Sequence, residues 1–308
     1  MKQKIFTVNS QKNSVKIYNN SPSKCLFFFS FFLVFFSSLL FCEPCNLDYK
    51  YPENSPLYFG NPSDATTEIE NEQNFLLKKN GYTISYNNYL HIPNWVAWHL
   101  SKEDLGEISR SDKFVPDNSL PKEWYKVKKS DYQFPLYGFD RGHVCPSADR
   151  TSTQEQNQET FFMTNMIPQS PDCNRIVWKD LENFERELVY EGNELYIFAG
   201  GYGTGGIGKE GYYEKIIVSQ KEDEQIVINI PEFCWKIILI ISDGNDDINR
   251  IDNNTKIISV FIPNQQNIHK TGSWEQYECS VNYIEEITKF DFFELIPNDI
   301  EETIENNF

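Results

Sequence analysis

Tyr137-Gly-Phe-Asp-Arg-Gly-His-Val-Cys-Pro-Ser-Ala-Asp-Arg150 sets one histidine, His143, beside a guanidinium, a carboxylate and a glycine. An imidazole titrates near neutral pH and can take a proton from water, while a neighbouring arginine grips a phosphate oxygen with paired donors. The stretch reads as half of a phosphodiester-cleaving site. Alone it would not carry that reading, because a single histidine is more often structural than catalytic.

The other half follows at once. Phe161-Phe-Met-Thr-Asn-Met166 is short and apolar and reads as a buried strand ended by Ile167-Pro168; Thr164-Asn-Met-Ile-Pro-Gln-Ser170 then feeds a loop. From Asn174 the chain shows its clearest helix: Val177, Leu181, Phe184 and Leu188 recur at helical spacing, Gly192 is the stop, and Asp172 or Asn174 is the expected cap. Trp178 and Glu182 lie four and eight residues beyond Asn174, about 40° of rotation per step, so Asn174 and Glu182 share one side. A histidine strand, a second strand and a helix presenting an oxygen ligand make a ββα unit. Such a unit can hold one hydrated hard cation opposite a general base.

Around this unit the strand-like runs are Tyr82–Tyr86, Asn94–Leu100, Glu194–Ala199, Gln225–Ile230, Cys234–Ser242 and Lys256–Ile262, with helices at Val281–Thr288 and Asp299–Glu305. Residues 43–80, rich in Pro, Asn, Ser and Glu, read as an N-terminal arm, and residues 101–135 as a long loop. There is no internal repeat and no linker. The expectation is one α+β domain over residues 81–308, a central antiparallel sheet with flanking helices and the ββα unit as its active site.

A chain of 308 residues, 40% hydrophobic and 15% aromatic, has ample material for a core. Its net charge is -17, and without residues 1–42, which carry five lysines and no acid, it would hold 23 basic against 45 acidic residues. That excludes wrapping nucleic acid by bulk electrostatics and demands a local basic cleft and a divalent cation. Lysines 2, 4, 12, 16 and 24 precede the uncharged run Cys25–Cys42, which Glu43-Pro44 follows. Residues 1–42 thus read as an export signal or an N-terminal membrane anchor, and the protein as secreted, periplasmic or held on the membrane through residues 25–42. Cleavage and retention both stay open, since the run is only slightly shorter than the roughly 20 residues a span needs. Beyond Cys42 the cysteines are 45, 145, 173, 234 and 279; Cys42 and Cys45 lack the second pair a zinc site requires, and Cys145 and Cys173 flank the two halves of the site.

Asp-Arg-Gly-His, then Thr-Asn-x-x-Pro-Gln, then Asn174-x-x-x-Trp178-x-x-x-Glu182, in this order, resembles the DNA/RNA non-specific endonuclease family with its ββα-metal finger. The resemblance covers roughly residues 80–290 and includes Asn94-Trp-Val-Ala-Trp98 and Ser109-Arg-Ser-Asp-Lys-Phe-Val-Pro-Asp117. It implies that His143 is the general base and Asn174 the one direct protein ligand of Mg²⁺, with Mn²⁺ able to substitute. Glu182 would act around the hydrated cation from one layer out, and Arg141 and Arg110 would bind the phosphate and neutralise its growing charge. Asp140 and Asn165 would also serve the substrate, orienting neighbouring groups. The implied activity is sugar-non-specific hydrolysis of DNA and RNA to 5′-phosphate ends; a catalytically idle nucleic-acid-binding or surface protein on the same fold is the alternative. An inhibitor protein as partner would mark a nuclease toxin.

Three features read as bland. His91, His99 and His269 lack ligand spacing and are structural or solvated. Gly203-Thr-Gly-Gly-Ile-Gly-Lys209 has the glycine spacing of a phosphate loop, but Glu210 stands where Ser or Thr is required and no helix follows, so it reads as a hairpin. The acidic stretches near 243–252 and 291–305 read as solvated faces.

Overall fold

Trp95, Val96, Ala97, Trp98, His99 and Leu100 are all buried, and alternate members go to opposite sides of one sheet. That period-2 division organises the whole protein. The structure, a computed structural model, describes residues 50–221 and 224–306. Its strands are β1 (Phe75–Lys79), β2 (Tyr82–Asn87), β3 (Ile92–Leu100), β4 (Asp140–His143), β5 (Met166–Gln169), β6 (Asn193–Tyr202), β7 (Gly206–Gly208), β8 (Gly211–Tyr213), β9 (Lys215–Lys221), β10 (Glu224–Asn229), β11 (Phe233–Ser242) and β12 (Lys256–Pro263). The helices are α1 (Phe134–Tyr137), α2 (Gln154–Glu159), α3 (Lys179–Tyr190), α4 (Val281–Thr288) and α5 (Asn298–Asn306).

Six strands form the central sheet in the order β1-β2-β3-β6-β11-β12, every neighbouring pair antiparallel. Val96, Trp98, Ile197, Ala199, Cys234 and Ile238 face the side that carries β4, β5 and α3. Trp95, Ala97, Tyr196, Phe198, Trp235 and Ile237 face the other, where Leu57, Phe59, Val281, Ile284, Phe292 and Ile304 close over them. Covering both faces explains why the central strands read as nearly unbroken apolar runs. Each large side chain so buried contributes about 1.5–3 kcal/mol.

The architecture is the α+β sheet expected, with three local corrections. Residues 50–80 belong to the fold: β1 pairs with β2, and Leu57, Tyr58 and Phe59 are core, so no boundary falls at residue 81. Phe161–Asn165 is buried as expected but forms a turn, and the strand is β5, one step later, with Pro168 inside it. Proline is tolerated there because the β4–β5 ribbon has only two strands and thus only edges. The acidic stretches are not wholly solvated: Asp247 is fully buried against Tyr196 and Arg250, and Glu305 is buried, its carboxyl pushed up to about 9 by burial and by Glu285 and Glu301. Residues 1–42 lie outside the described residues; among the described ones no helix is long and apolar enough to cross a membrane.

Candidate functional site

In the β4–β5 ribbon Asp140 pairs with Gln169, Arg141 with Pro168, Gly142 with Ile167 and His143 with Met166. Gly142 answers to crowding: a Cβ there would sit 1.9 Å from Oε1 of Gln169, a fully buried side chain whose Nε2 lies 3.5 Å from Cys234 Sγ. The chain then turns into a helix whose first part, Cys173–Trp178, is a π-helical turn running straight into α3. A π turn advances roughly 80° per residue and an α turn about 100°. Asn174 to Trp178 therefore lags a full rotation by roughly 40° and Trp178 to Glu182 leads by about as much. The two offsets cancel and bring Asn174 and Glu182 into line. Neither expected cap is one: Asp172 already has helical dihedrals and accepts a hydrogen bond from Asn267 N at 2.7 Å, while Asn174 donates Nδ2 to Asp140 Oδ2 at 3.0 Å.

One cleft of about 470 Å³ is lined by Arg110, Arg141, His143, Asn174 and Glu182. Helix side chains Arg175, Lys179 and Arg186 share it, so five basic groups face one carboxylate in a protein of net charge -17. This is the local basic cleft that the charge balance demanded. Phe114 and Phe161 shape it: their ring centroids lie 5.5 and 4.8 Å from that of His143, and each also carries a guanidinium, Arg141 at 4.8 Å and Arg110 at 4.9 Å. Arg110 is further held by Ser147 Oγ at 2.8 Å and Asp112 at 2.7 Å.

His143 is buried, and its Nε2 has no hydrogen-bond partner among the described residues. Burial and the cations of Arg110 and Arg141 push its pKa down to about 3, so the imidazole is neutral at physiological pH. Glu182 makes no hydrogen bond or ion pair among the described residues, and burial raises it to about 7 against the pull of Lys236. Behind it lies a buried charge network. Lys236 and Glu185, both fully buried, meet at 2.7 Å, and Lys236 Nζ sits 4.4 Å from the Trp178 ring centroid. Asp149 accepts from Arg186 at 2.6 Å and from Trp98 Nε1 at 3.0 Å.

Two residues expected to orient neighbouring groups for the substrate are held by contacts within the protein. Asn165 is fully buried and its amide is spent on Cys145 N (3.0 Å), Cys145 O (2.8 Å) and Thr160 O (2.9 Å), so it fixes the chain after His143. Asp140 does not line the cleft; it takes Asn174 Nδ2 together with Arg175 Nε and Nη2 at 2.7 and 2.6 Å, which makes it a positioning residue. Cys145, Cys173, Cys234 and Cys279 are free thiols. Cys173 pairs off with Cys234, whose hydrogen bond and the surrounding burial hold its thiol protonated. The other histidines have structural partners: His91 Nδ1 meets Val227 O at 2.7 Å, His99 meets Glu194 at 2.8 Å, and His269 meets Asp172 at 3.4 Å. The glycine-rich stretch is the β7–β8 hairpin.

Sequence reasoning missed Arg175, Lys179 and Arg186 in the cleft, and Asp149, Glu185 and Lys236 beneath it. For the first three a signal existed, since Arg175, Lys179, Glu182 and Arg186 recur at helical spacing on the Asn174 side. For the others there was none, because strand and helix meet only in the fold.

A ββα unit with a neutral histidine, arginines for an anion and an unpaired carboxylate in one basic cleft defines a hydrolase of phosphodiesters. The DNA/RNA non-specific endonuclease family model matches residues 61–299, and the chain belongs to that family. It is 40% identical over 250 residues to a nuclease of Nostoc sp. (strain PCC 7120 / SAG 25.82 / UTEX 2576), covering 81% of this chain and 84% of that one. It is 32% identical over 168 residues to the mitochondrial nuclease EXOG of Danio rerio, 54% of this chain and 47% of that one. The fold is similar to the solved EndoG/EndoGI complex, with a TM-score of 0.62 at 22% identity over 79% of this chain and 91% of that one. The protein is thus a non-specific nuclease.

Proposed function

We propose that this nuclease is a Mg²⁺-dependent endonuclease, indifferent to the sugar, that cuts DNA and RNA to leave 5′-phosphate and 3′-hydroxyl ends. The observation that carries the proposal is the convergence of His143, Arg110, Arg141, Asn174 and Glu182 on one basic cleft.

The residues present fit a hydrated divalent cation. Asn174 gives its Nδ2 to Asp140, while its Oδ1 accepts no hydrogen bond from any described residue; Glu182 is likewise uncommitted. Among the described residues no group of three or more His, Cys, Asp or Glu side chains is arranged to hold a metal. A hard ion that keeps most of its water and takes Asn174 as its protein ligand suits such a site, and Mg²⁺ binds in that manner. When bound it supplies Lewis-acid stabilisation of the phosphate and the departing 3′ oxygen.

His143 takes the proton of the attacking water. Its low pKa belongs to the free protein: a phosphate drawn between Arg110 and Arg141 offsets their charge and raises the imidazole toward a working base. The two arginines, already aimed by Phe161 and Phe114, neutralise the charge that builds on the phosphoryl oxygens. Asp140 keeps Asn174 turned into the cleft. Backbone contacts without base readout account for the lack of sequence preference.

The test is purified protein with plasmid and with RNA, in Mg²⁺, Mn²⁺ or EDTA, followed by end-group analysis. Both substrates are cut with metal and spared in EDTA, the new ends carry 5′-phosphate, and Asn174→Ala loses cleavage that high Mg²⁺ partly restores. Cleavage that persists in EDTA, or an unimpaired Asn174→Ala protein, overturns the reading. We also place the enzyme outside the cytoplasm, secreted or held at a membrane, on the strength of the apolar run Cys25–Cys42. N-terminal sequencing of the protein recovered from its host tests that.

A further inference from the structure

A second groove, of about 700 Å³, adjoins the cleft, and Arg141 belongs to the walls of both. Its other walls include Phe114, Lys128, Lys129, Gln133 and Phe134. That volume is in the range of about 300–1,000 Å³ typical of ligand pockets. The groove is neither purely apolar nor neutralised. Lys128 and Lys129 are exposed, and neither takes part in any ion pair among the described residues. Asp131, the nearest acid in sequence, is buried and spends its carboxylate on Lys128 N at 2.7 Å and the Tyr125 hydroxyl at 2.8 Å. Both rings are half-buried and each borders cations: Lys129 Nζ lies 5.6 Å and Arg141 4.8 Å from the Phe114 centroid, and Arg175 lies 5.9 Å from that of Phe134.

We propose that this groove is a subsite for an unpaired stretch of the nucleic-acid strand flanking the cut, with bases stacking on Phe134 and the rim of Phe114 and phosphates following Lys128, Lys129 and Arg141. The proposal rests on the nuclease reading above and adds to it a preference in substrate form. Aromatic rings interleaved with cations hold a single strand because every base offers a face to stack on, whereas a duplex hides those faces and offers only phosphates. Continuity through Arg141 sets the direction, since a strand whose scissile phosphate is gripped by that guanidinium has its neighbouring nucleotide at the groove's mouth. An acidic protein has few places where phosphates can run, and this groove is a basic surface next to the cleft.

The test compares binding of a fluorescein-labelled single strand and of the corresponding duplex to the whole protein in EDTA, over a range of salt. Phe134→Ala weakens single-strand binding about tenfold and duplex binding much less. Lys128→Gln/Lys129→Gln, at exposed positions where folding is not at stake, lowers the slope of log K against log salt for the single strand by about 1.4. Equal losses on single strand and duplex, or no loss on either, overturn the proposal. Metal-dependent nicking of plasmid by the wild-type protein is measured alongside. Absent nicking with an intact groove effect sinks the nuclease mechanism alone; intact nicking with no groove effect sinks the subsite alone.

Discussion

His99 and His143 lie on opposite sides of the same sheet and are about equally buried, yet their surroundings are opposite. His99 meets the carboxylate of Glu194, which Arg250 also binds; burial alone would raise Glu194, but those two hydrogen bonds hold it below the usual carboxylate range. Arg250 also pairs with Asp247, and Asp247 with Tyr196, so charge on that side is matched. Among the described residues His143 has no carboxylate partner, two cations at hand and a ring nitrogen without a partner. Beside His99 the imidazole and its carboxylate complete one another within the protein. Beside His143 that place is left for a ligand.

The comparison is broken most directly by exchanging the fates of the two histidines. His143→Ala should slow cleavage on the order of 10³-fold, the usual worth of a general base, with a melting temperature near wild type. His99→Ala should do the reverse, costing about 1–3 kcal/mol by stranding part of Glu194 without slowing cleavage. Turnover and thermal melts on both proteins decide it, and equal losses of activity would erase the distinction. Next comes Lys236→Met, which strands Glu185 in a fully buried pair and should cost about 3–5 kcal/mol in urea unfolding. Glu185→Leu/Lys236→Met should recover most of that, since an apolar pair avoids burying charge; if the double variant is as unstable as the single, the pair is not what Lys236 is for.

Asp140→Asn sharpens the comparison on the catalytic side. It weakens the hold on Asn174 and Arg175 and should lower activity about 10–100-fold, with extra Mg²⁺ compensating in part. Loss of stability in place of activity would make Asp140 merely structural. The smallest effect belongs to Arg141→Gln, read by NMR titration of His143. Removing one cation raises the pKa from about 3, but burial, the larger cause, remains, so it climbs only part of the way toward 6.5. The sign carries over to stability. Between about 6.5 and 3 the unfolded chain takes up a proton that folded His143 refuses, so this group makes stability fall as pH drops through that window. Arg141→Gln narrows the window, and a His143 pKa that stays put or falls contradicts the proposed electrostatics.

Most of the sheet was legible because its strands are apolar, β-branched and bounded by turn residues. β1 was missed because Phe75-Leu-Leu-Lys-Lys79 ends in lysines suited to an edge strand, which look like arm or loop without their neighbour. The residues 161–165 were placed correctly in the core and wrongly in a strand, since burial and composition are alike for a packed turn. At the site, residue types and order pointed to His143, Asn174 and Glu182, and the resemblance to Arg110 and Arg141; the fold brings the five to one cleft. What those side chains are pressed against was not. Phe114 and Phe161 stand nearly fifty residues apart and meet only around His143, and Lys236 arrives from a strand well past the helix it supports.

The π turn has a genetic corollary. Between Asn174 and Lys179 the chain carries one residue more than ordinary helical winding needs. Deleting any one of Arg175, Ile176 or Val177 would let the turn relax to ordinary winding, and seven α steps come to about 700°, within roughly 20° of the two full turns that now align Asn174 with Glu182. The apolar stripe of α3 would still find the sheet, so the protein would fold. Across this short stretch a frame-preserving single-codon deletion should therefore spare much of the activity as well as the expression, the reverse of what such a lesion does in the middle of a core strand.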